Sequence, residues 1–332
     1  MRSTRLPSSI ERLLGAQAIA PPPFAFACSP SRLAFAAFER DGGRLALREL
    51  RSGDLSAGTF QHGILGGPPR EANAFEERVG AFVSELETPV HEASLVLPDA
   101  WLRTAFAEVD QVSGNGNGRE EMLRWKLKRL VPFRVDELRV RAVEVEPMPG
   151  QDEAHRLLLG FGIETLFRQL EVAFAAAGVH LGRITNRGLA ACGGLAGLGP
   201  ESGLLGLVLV TEEGYTLVFT LRGEPVLHRF KSLSESLPPE AQGAAVRRDL
   251  RLTRTFLEDR YPGEEPATLL LAAPEDAAPA WAAWLEQGFE GPVELVGAAH
   301  VVPIDVRGEP PILPAWPEIL PLAGAVCQEV AG

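Results

Sequence analysis

A three-strand pattern occurs twice in this chain, and two copies of it leave few architectures open. In the first copy, Phe24–Cys28, Leu33–Phe38 and Arg44–Leu50 are short strand-like runs separated by the turn sequences Ser29-Pro30-Ser31 and Asp41-Gly42-Gly43. In the second, Leu204–Val210, Tyr215–Thr220 and Pro225–Lys231 are joined by Glu212-Glu213-Gly214 and Arg222-Gly223-Glu224. Each copy reads as a β-meander that must bury a face against something else. Helical stripes follow both. Phe75, Val79, Phe82, Val83 and Leu86 recur at helix spacing after the first; Val246, Leu250, Thr253 and Leu257, then Trp281, Trp284 and Leu285 ending near Gly288, do so after the second. Between these last two stripes Leu269–Ala272 is strand-like. The shared order of elements, with little sequence similarity between the halves, predicts a duplicated, bilobed α/β body with a cleft between its lobes.

The first half carries extra chain. Ala93–Leu97 reads as a strand ending at Pro98-Asp99, Trp101–Val109 is a second apolar stretch, and Ser113–Gly118 is expected to be a mobile hairpin tip rather than a phosphate cradle, because it lacks the Gly-Lys-Ser/Thr ending of a phosphate loop. A helix from Arg119 to Leu130, stopped by Pro132, and strands over Leu138–Glu146 and Arg156–Ile163 follow. Residues 90–163 are thus expected to form an inserted α+β subdomain. Leu166, Leu170, Phe174 and Ala177 stripe a helix closed by Gly178, and His180–Ile184 returns as a strand. Residues 1–21 read as an arm ending at Pro21-Pro22-Pro23, and Gly193–Gly203 as the boundary between halves. The expected division is a first lobe over 22–199 and a second over 200–332, whose final segment returns to the first lobe.

Composition narrows the function classes. The 45% hydrophobic and 23% charged content describes a folded globular chain, and no apolar run approaches the ~20 residues a membrane span needs. A net charge of −12 argues against nucleic acid as a general partner, which needs a basic face. Cys28, Cys192 and Cys327 are far apart, with no Cys-x-x-Cys and no histidine at ligand spacing, so neither a metal site nor a disulfide framework is expected and the compartment reads as reducing. Phe24–Cys28 resembles a lipoprotein cleavage site only weakly, because Glu11, Arg12 and the proline triplet interrupt the apolar segment before it. The six histidines are scattered and read as structural; no catalytic group is assigned.

Several local strings add to this organisation. Ala93-Ser94-Leu95-Val96-Leu97-Pro98-Asp99, the run from Glu121 to Phe133 continuing into Asp136–Arg139, Ala177-Gly178-Val179, the Arg247–Tyr261 helix before Pro262-Gly263, and Leu322–Val326 stand in this order. With them the chain resembles, over roughly residues 22–330, the PilM-type actin-like proteins of the type IV pilus inner-membrane assembly platform. It is similar also to the cytoplasmic actin-like domain of GspL in type II secretion. The resemblance implies an α/β, bilobed actin-like fold of the FtsA/PilM type, a cytoplasmic scaffold peripheral to the inner membrane, and a PilN-like membrane protein as partner. That partner's short N-terminal peptide would enter a groove of the first lobe beside the inserted subdomain. Self-association stays open.

An actin-like fold also implies ATP and Mg in the cleft, held by two loops that each need an Asp for metal-linked water and a Gly where backbone nears phosphate. Here Ala27 and Ser29 stand at the first pair of positions and Val210 and Glu212 at the second. Thr216 keeps a hydroxyl, and Ala272-Ala273 replaces the adenosine-side Gly-Gly. An anionic Glu212 beside phosphate is repelled. The expectation is therefore a pseudo-ATPase with no cofactor, against the alternative of a nucleotide-switched ATPase; a sugar-kinase relative would need an Asp base and intact loops.

One segment departs from the acidic background. Residues 119–141 hold eight basic and four acidic side chains. On the helix there, Leu123, Leu127, Leu130 and Val131 share a face, while Trp125 points away among Arg124, Lys128 and Arg129. Trp125 either packs on its own sheet or anchors a partner, and Arg124, Trp125, Lys128, Pro132 and Phe133 are the candidate contact residues.

Overall fold

The computed structural model describes residues 21–41, 44–109, 117–131, 134–149, 155–198, 202–233, 237–264, 268–306 and 316–327. The N-terminal segment up to residue 20, residues 113–116 of the expected hairpin tip, and both Pro132 and Phe133 lie outside the described residues.

The first meander is β1 (Phe24–Cys28), β2 (Arg32–Asp41) and β3 (Arg44–Asp54). Helix α1 (Ala72–Ser84) and strand β4 (Glu92–Leu97) follow. After the insertion come α3 (Glu164–Ala176), β8 (His180–Asn186) and the short α4 (Arg187–Gly193). The second meander is β9 (Leu205–Thr211), β10 (Gly214–Leu221) and β11 (Glu224–Ser232), followed by α5 (Pro239–Arg260), β12 (Leu269–Ala272), α6 (Ala278–Phe289) and β13 (Val293–Leu295). The chain then adds β14 (Ile304–Val306) and α7 (Trp316–Val326).

Strand order makes the duplication explicit. The first sheet runs β14-β3-β2-β1-β4-β8 and the second β11-β10-β9-β12-β13. In both, the meander's first strand pairs antiparallel with the second and parallel with the strand that follows the first helix. These central strands are apolar on both faces (Phe-Ala-Phe-Ala-Cys, Ser-Leu-Val-Leu, Leu-Val-Leu-Val), as a sheet covered on both sides requires. The β10–β11 turn places Arg222 and Gly223 at φ 54° and 80°, the left-handed pair of a two-residue hairpin turn.

On its outer face the first sheet packs α1 and α3 through Phe26, Phe35, Val79, Leu170 and Phe174. The second does so with α5 and α6 through Phe219, Val246, Leu250, Trp281 and Leu285. The inner faces enclose α4 and α7, with Val96, Ala190 and Leu322 toward the first sheet and Ala191, Leu207, Val218 and Leu320 toward the second. These two helices form the waist. A Cβ on Gly324 of α7 would lie 1.7 Å from the Ala190 carbonyl oxygen and 2.6 Å from the Gly194 nitrogen. The glycine-rich sequence expected as the boundary between halves therefore begins as a tight helix crossing: glycine is used there for close approach of two backbones.

The insertion is smaller than expected. Ala93–Leu97 sits in β4, between β1 and β8 of the first sheet, so the separate subdomain is β5 (Arg103–Val109), α2 (Asn117–Lys128), β6 (Leu138–Val145) and β7 (His155–Ile163), with sheet order β5-β7-β6. The two buried faces of β4 make it a central strand, a property that a five-residue apolar run shares with a subdomain strand and that its pairing alone reveals. At the other end of the chain, β14 pairs with β3.

Candidate functional site

Two concave sites lie between these units. The first is a cleft of about 250 Å³ bounded by the β1–β2 turn, the β9–β10 turn, Pro274 beyond β12 and the start of α7. Of the residues placed by sequence at nucleotide loops, Ala27, Ser29, Val210 and Glu212 line it. Thr216 is instead buried in β10, Ala272 is buried in β12, and Ala273 packs against the second core. The two turns touch across the cleft: Ser31 Oγ donates to Glu212 Oε1 at 2.8 Å. Both arginines in the lining are engaged, Arg187 with Glu213 at 3.0 Å and Arg32 with Glu318 at 3.2 Å.

Behind this cleft is a buried polar junction that sequence reading missed. Asp99, in the turn after β4, accepts the Gly188 N–H with both carboxylate oxygens at 3.2 Å and meets His228 Nε2 of the second lobe at 3.0 Å. The other imidazole nitrogen lies 2.8 Å from Thr104 Oγ1 of the inserted subdomain. The His228 and Asp99 side chains are each 2% exposed, so three units meet at one desolvated network. Asn186 supports it by capping α4, accepting from the Leu189 N–H and donating to the Leu102 carbonyl, both at 2.9 Å. Nothing in the spacing of residues 99, 104 and 228 announces the cluster; only the pairing of lobes brings them together.

The second site is larger, a groove of about 540 Å³. Its floor is the edge of the first sheet at β8, beyond which no strand lies among the described residues. One wall is the face of the inserted sheet that points away from α2, carrying Arg139, Arg141, Val143 and Val145 of β6; the far rim is the β10–β11 turn. Alternation fixes this wall: Leu138 and Val140 face the α2 core, and the odd-numbered neighbours face the groove. Arg156 of β7 holds the subdomain against the second lobe, donating to Tyr261 OH at 2.6 Å and to the Val226 carbonyl at 2.9 Å, with its guanidinium 4.2 Å above the Phe106 ring.

Within the groove Arg139 is fully engaged, bonded to Glu164 at 2.8 and 2.9 Å and to Glu171 at 2.5 and 3.0 Å. Hydrogen bonding to Arg139 is the main reason the Glu164 carboxyl is held below the usual range.

The candidate contact residues on α2 fall outside this groove. Trp125 is 55% exposed, with Lys126 Nζ and the Arg129 guanidinium each 5.6 Å from its ring centre. It does not pack on its own sheet. Arg124 pairs with Glu120 at 2.9 Å and reaches back toward β6, while Lys128 is exposed. Leu130, expected on the apolar face, is 49% exposed, because α2 ends at Lys128 and a tight turn bonding Leu130 N–H to the Leu127 carbonyl swings it outward. The α2 face and the groove thus occupy opposite faces of the inserted sheet. The sequence signal for the groove wall was the Arg139-x-Arg141-x-Val143-x-Val145 alternation, which a helix-centred reading of the basic segment passed over.

No family model and no curated protein matches the sequence. Among solved structures, the fold is similar to that of a PilM-PilN type IV pilus biogenesis complex, with TM-score 0.70 and 16% identity over 93% of this chain and 98% of that chain. A Bacteroides thetaiotaomicron VPI-5482 protein with an actin-like ATPase fold and unknown function gives 0.50 and 9% identity over 83% and 91%. The cytoplasmic domain of EpsL, an inner membrane component of the type II secretion system of Vibrio cholerae, gives 0.47 and 12% over 92% and 95%. With its two sheets repeating one strand order about a shared helical waist, the chain has the bilobed actin-like fold in its PilM-type form.

Proposed function

We propose that this protein is a binding platform of a type IV pilus, or related type II secretion, inner-membrane assembly, and that it holds the short cytoplasmic peptide of a PilN-like membrane partner. The observation that carries this reading is the groove along β8. It offers a strand edge that no other described strand covers, a wall with apolar Val143 and Val145, and a rim from the second lobe, the combination by which an extended peptide is bound through β-addition. The likeness to a structure solved as a PilM-PilN complex supports the partner class. No helix among the described residues is long and apolar enough to cross a membrane, and the proposal places the protein on the cytoplasmic side, attached through its partner. The exposed Trp125 with its flanking cations supports a second contact with the same partner on the opposite face of the inserted subdomain.

Binding without ATP turnover is part of the proposal. The groups lining the interlobe cleft do not suit a polyphosphate. Glu212 brings a carboxylate to it, Ala27 and Val210 supply no ligand for a metal-bound water, and Arg32 and Arg187 are already paired with carboxylates. The competing reading, a nucleotide-switched ATPase, draws on the 250 Å³ that remain open between the turns. Calorimetric titration separates them. The PilN-like peptide is expected to bind with saturable heat, and millimolar Mg-ATP to give neither heat nor a thermal shift, since a ligand of the folded state raises stability by RT ln(1 + [L]/Kd). Saturable Mg-ATP binding that alters peptide affinity would put the switch reading first.

A further inference from the structure

β8 contains a bulge. Its register with β4 runs Glu92↔His180 and Ala93↔Leu181, then jumps to Ser94↔Arg183, so Gly182 is extra. The extra residue re-aims the remainder of the strand. Leu181 and Ile184 both pack on the outer core, whereas Arg183 takes the face of its partner Ser94, whose hydroxyl bonds the Ala325 carbonyl of α7. Arg183 lines the groove, its Nη1 atom is buried without a hydrogen-bond partner, and none of the described carboxylates pairs with it. Burial alone lowers its pKa from the usual arginine value. The neighbouring arginines are different: Arg139 has two carboxylates, and Arg141 donates to the Val140 carbonyl. A half-buried guanidinium with one buried, unbonded nitrogen and no carboxylate partner among the described residues, in a chain of net charge −12, is suited to take an acid from a ligand.

We propose that Arg183 selects an acidic side chain in the bound peptide, an Asp or Glu bracketed by apolar residues. A strand added at the β8 edge alternates its side chains between the two faces of the first sheet. The residue on the α7 face meets Arg183, and its neighbours on either side meet the face where Phe167, Leu181 and Ile184 lie. The inference rests on the groove reading above and adds the chemistry by which the peptide is chosen.

The test is a selection of phage-displayed random 12-residue peptides on the immobilised full chain, followed by synthesis of the enriched sequence with its acid and with the matching amide. The expected result is enrichment of an acid between apolar residues, a loss of about tenfold or more in affinity when the acid becomes the amide, and no such difference on Arg183→Met. Because the acid-to-amide change leaves the protein untouched, the result does not depend on how Arg183→Met folds. Peptides that compete with the PilN-like peptide but show no acidic preference would overturn this inference and leave the groove reading standing. No enrichment of any peptide would overturn both.

Discussion

Substituting Gly324 by alanine tests the waist that holds the two lobes together. The added Cβ would lie 1.7 Å from the Ala190 carbonyl oxygen; its position is fixed by the α7 backbone and the oxygen belongs to the α4 backbone, so no side-chain rotation relieves the clash. Reaching ordinary contact distance requires α4 and α7 to part by roughly 1.5 Å, which loosens the fully buried contacts of Leu320 and Ala323 with the two sheets. The expected cost is about 3 kcal/mol, the upper part of the over-packing range. With a urea m-value of about 3 kcal/mol/M, the denaturation midpoint falls by about 1 M. Gly80→Ala is the internal control: it sits inside α1 with nothing within 4 Å of the new methyl, so the same chemical change stabilises by about 0.5–1 kcal/mol. A Gly324→Ala midpoint within 0.3 M of wild type, about 1 kcal/mol at that slope, would refute the close-packed waist.

Asp99→Ala leaves His228 and the Gly188 N–H without their buried partner and is expected to cost about 3–5 kcal/mol, read as a lowered thermal midpoint. Trp125→Ala removes an exposed ring, so stability stays within about 0.5 kcal/mol and affinity for the short peptide is unchanged, while binding of the full-length partner weakens in a pull-down. Burial pushes the Cys192 and Cys327 thiols up to about 12 and raises that of Cys28 further, so at pH 8 at most about one thiol in ten thousand is the reactive thiolate. Alkylation is therefore expected to be slow in the native protein and to reach all three thiols after unfolding, which intact-mass spectrometry resolves.

Much of the fold was legible because its signals are local. Meander turns such as Arg222-Gly223 carry their own conformational chemistry, and stripes such as Val246, Leu250 and Leu257 are set by helix period. The features that stayed hidden depend on contacts distant in sequence. The run Ser-Leu-Val-Leu at 94–97 is the same whether its strand lies in the main sheet or in an insertion, and pairing with β1 decides it. The Asp99, Thr104 and His228 network joins residues up to 129 positions apart. Ala27, Ser29, Val210 and Glu212 of the cleft were readable because they flank recognisable turns. The groove was not, because its floor is defined by where a sheet stops.

Hydrogen–deuterium exchange of the full chain with and without the PilN-like peptide tests most directly the claim that an extended peptide adds to the first-lobe edge. Slowed exchange is expected in β8, from Leu181 to Asn186, with no change in the turns at Ser29–Ser31 and Glu212–Gly214. Protection confined to α2 or to those two turns, with β8 unaltered, would contradict it.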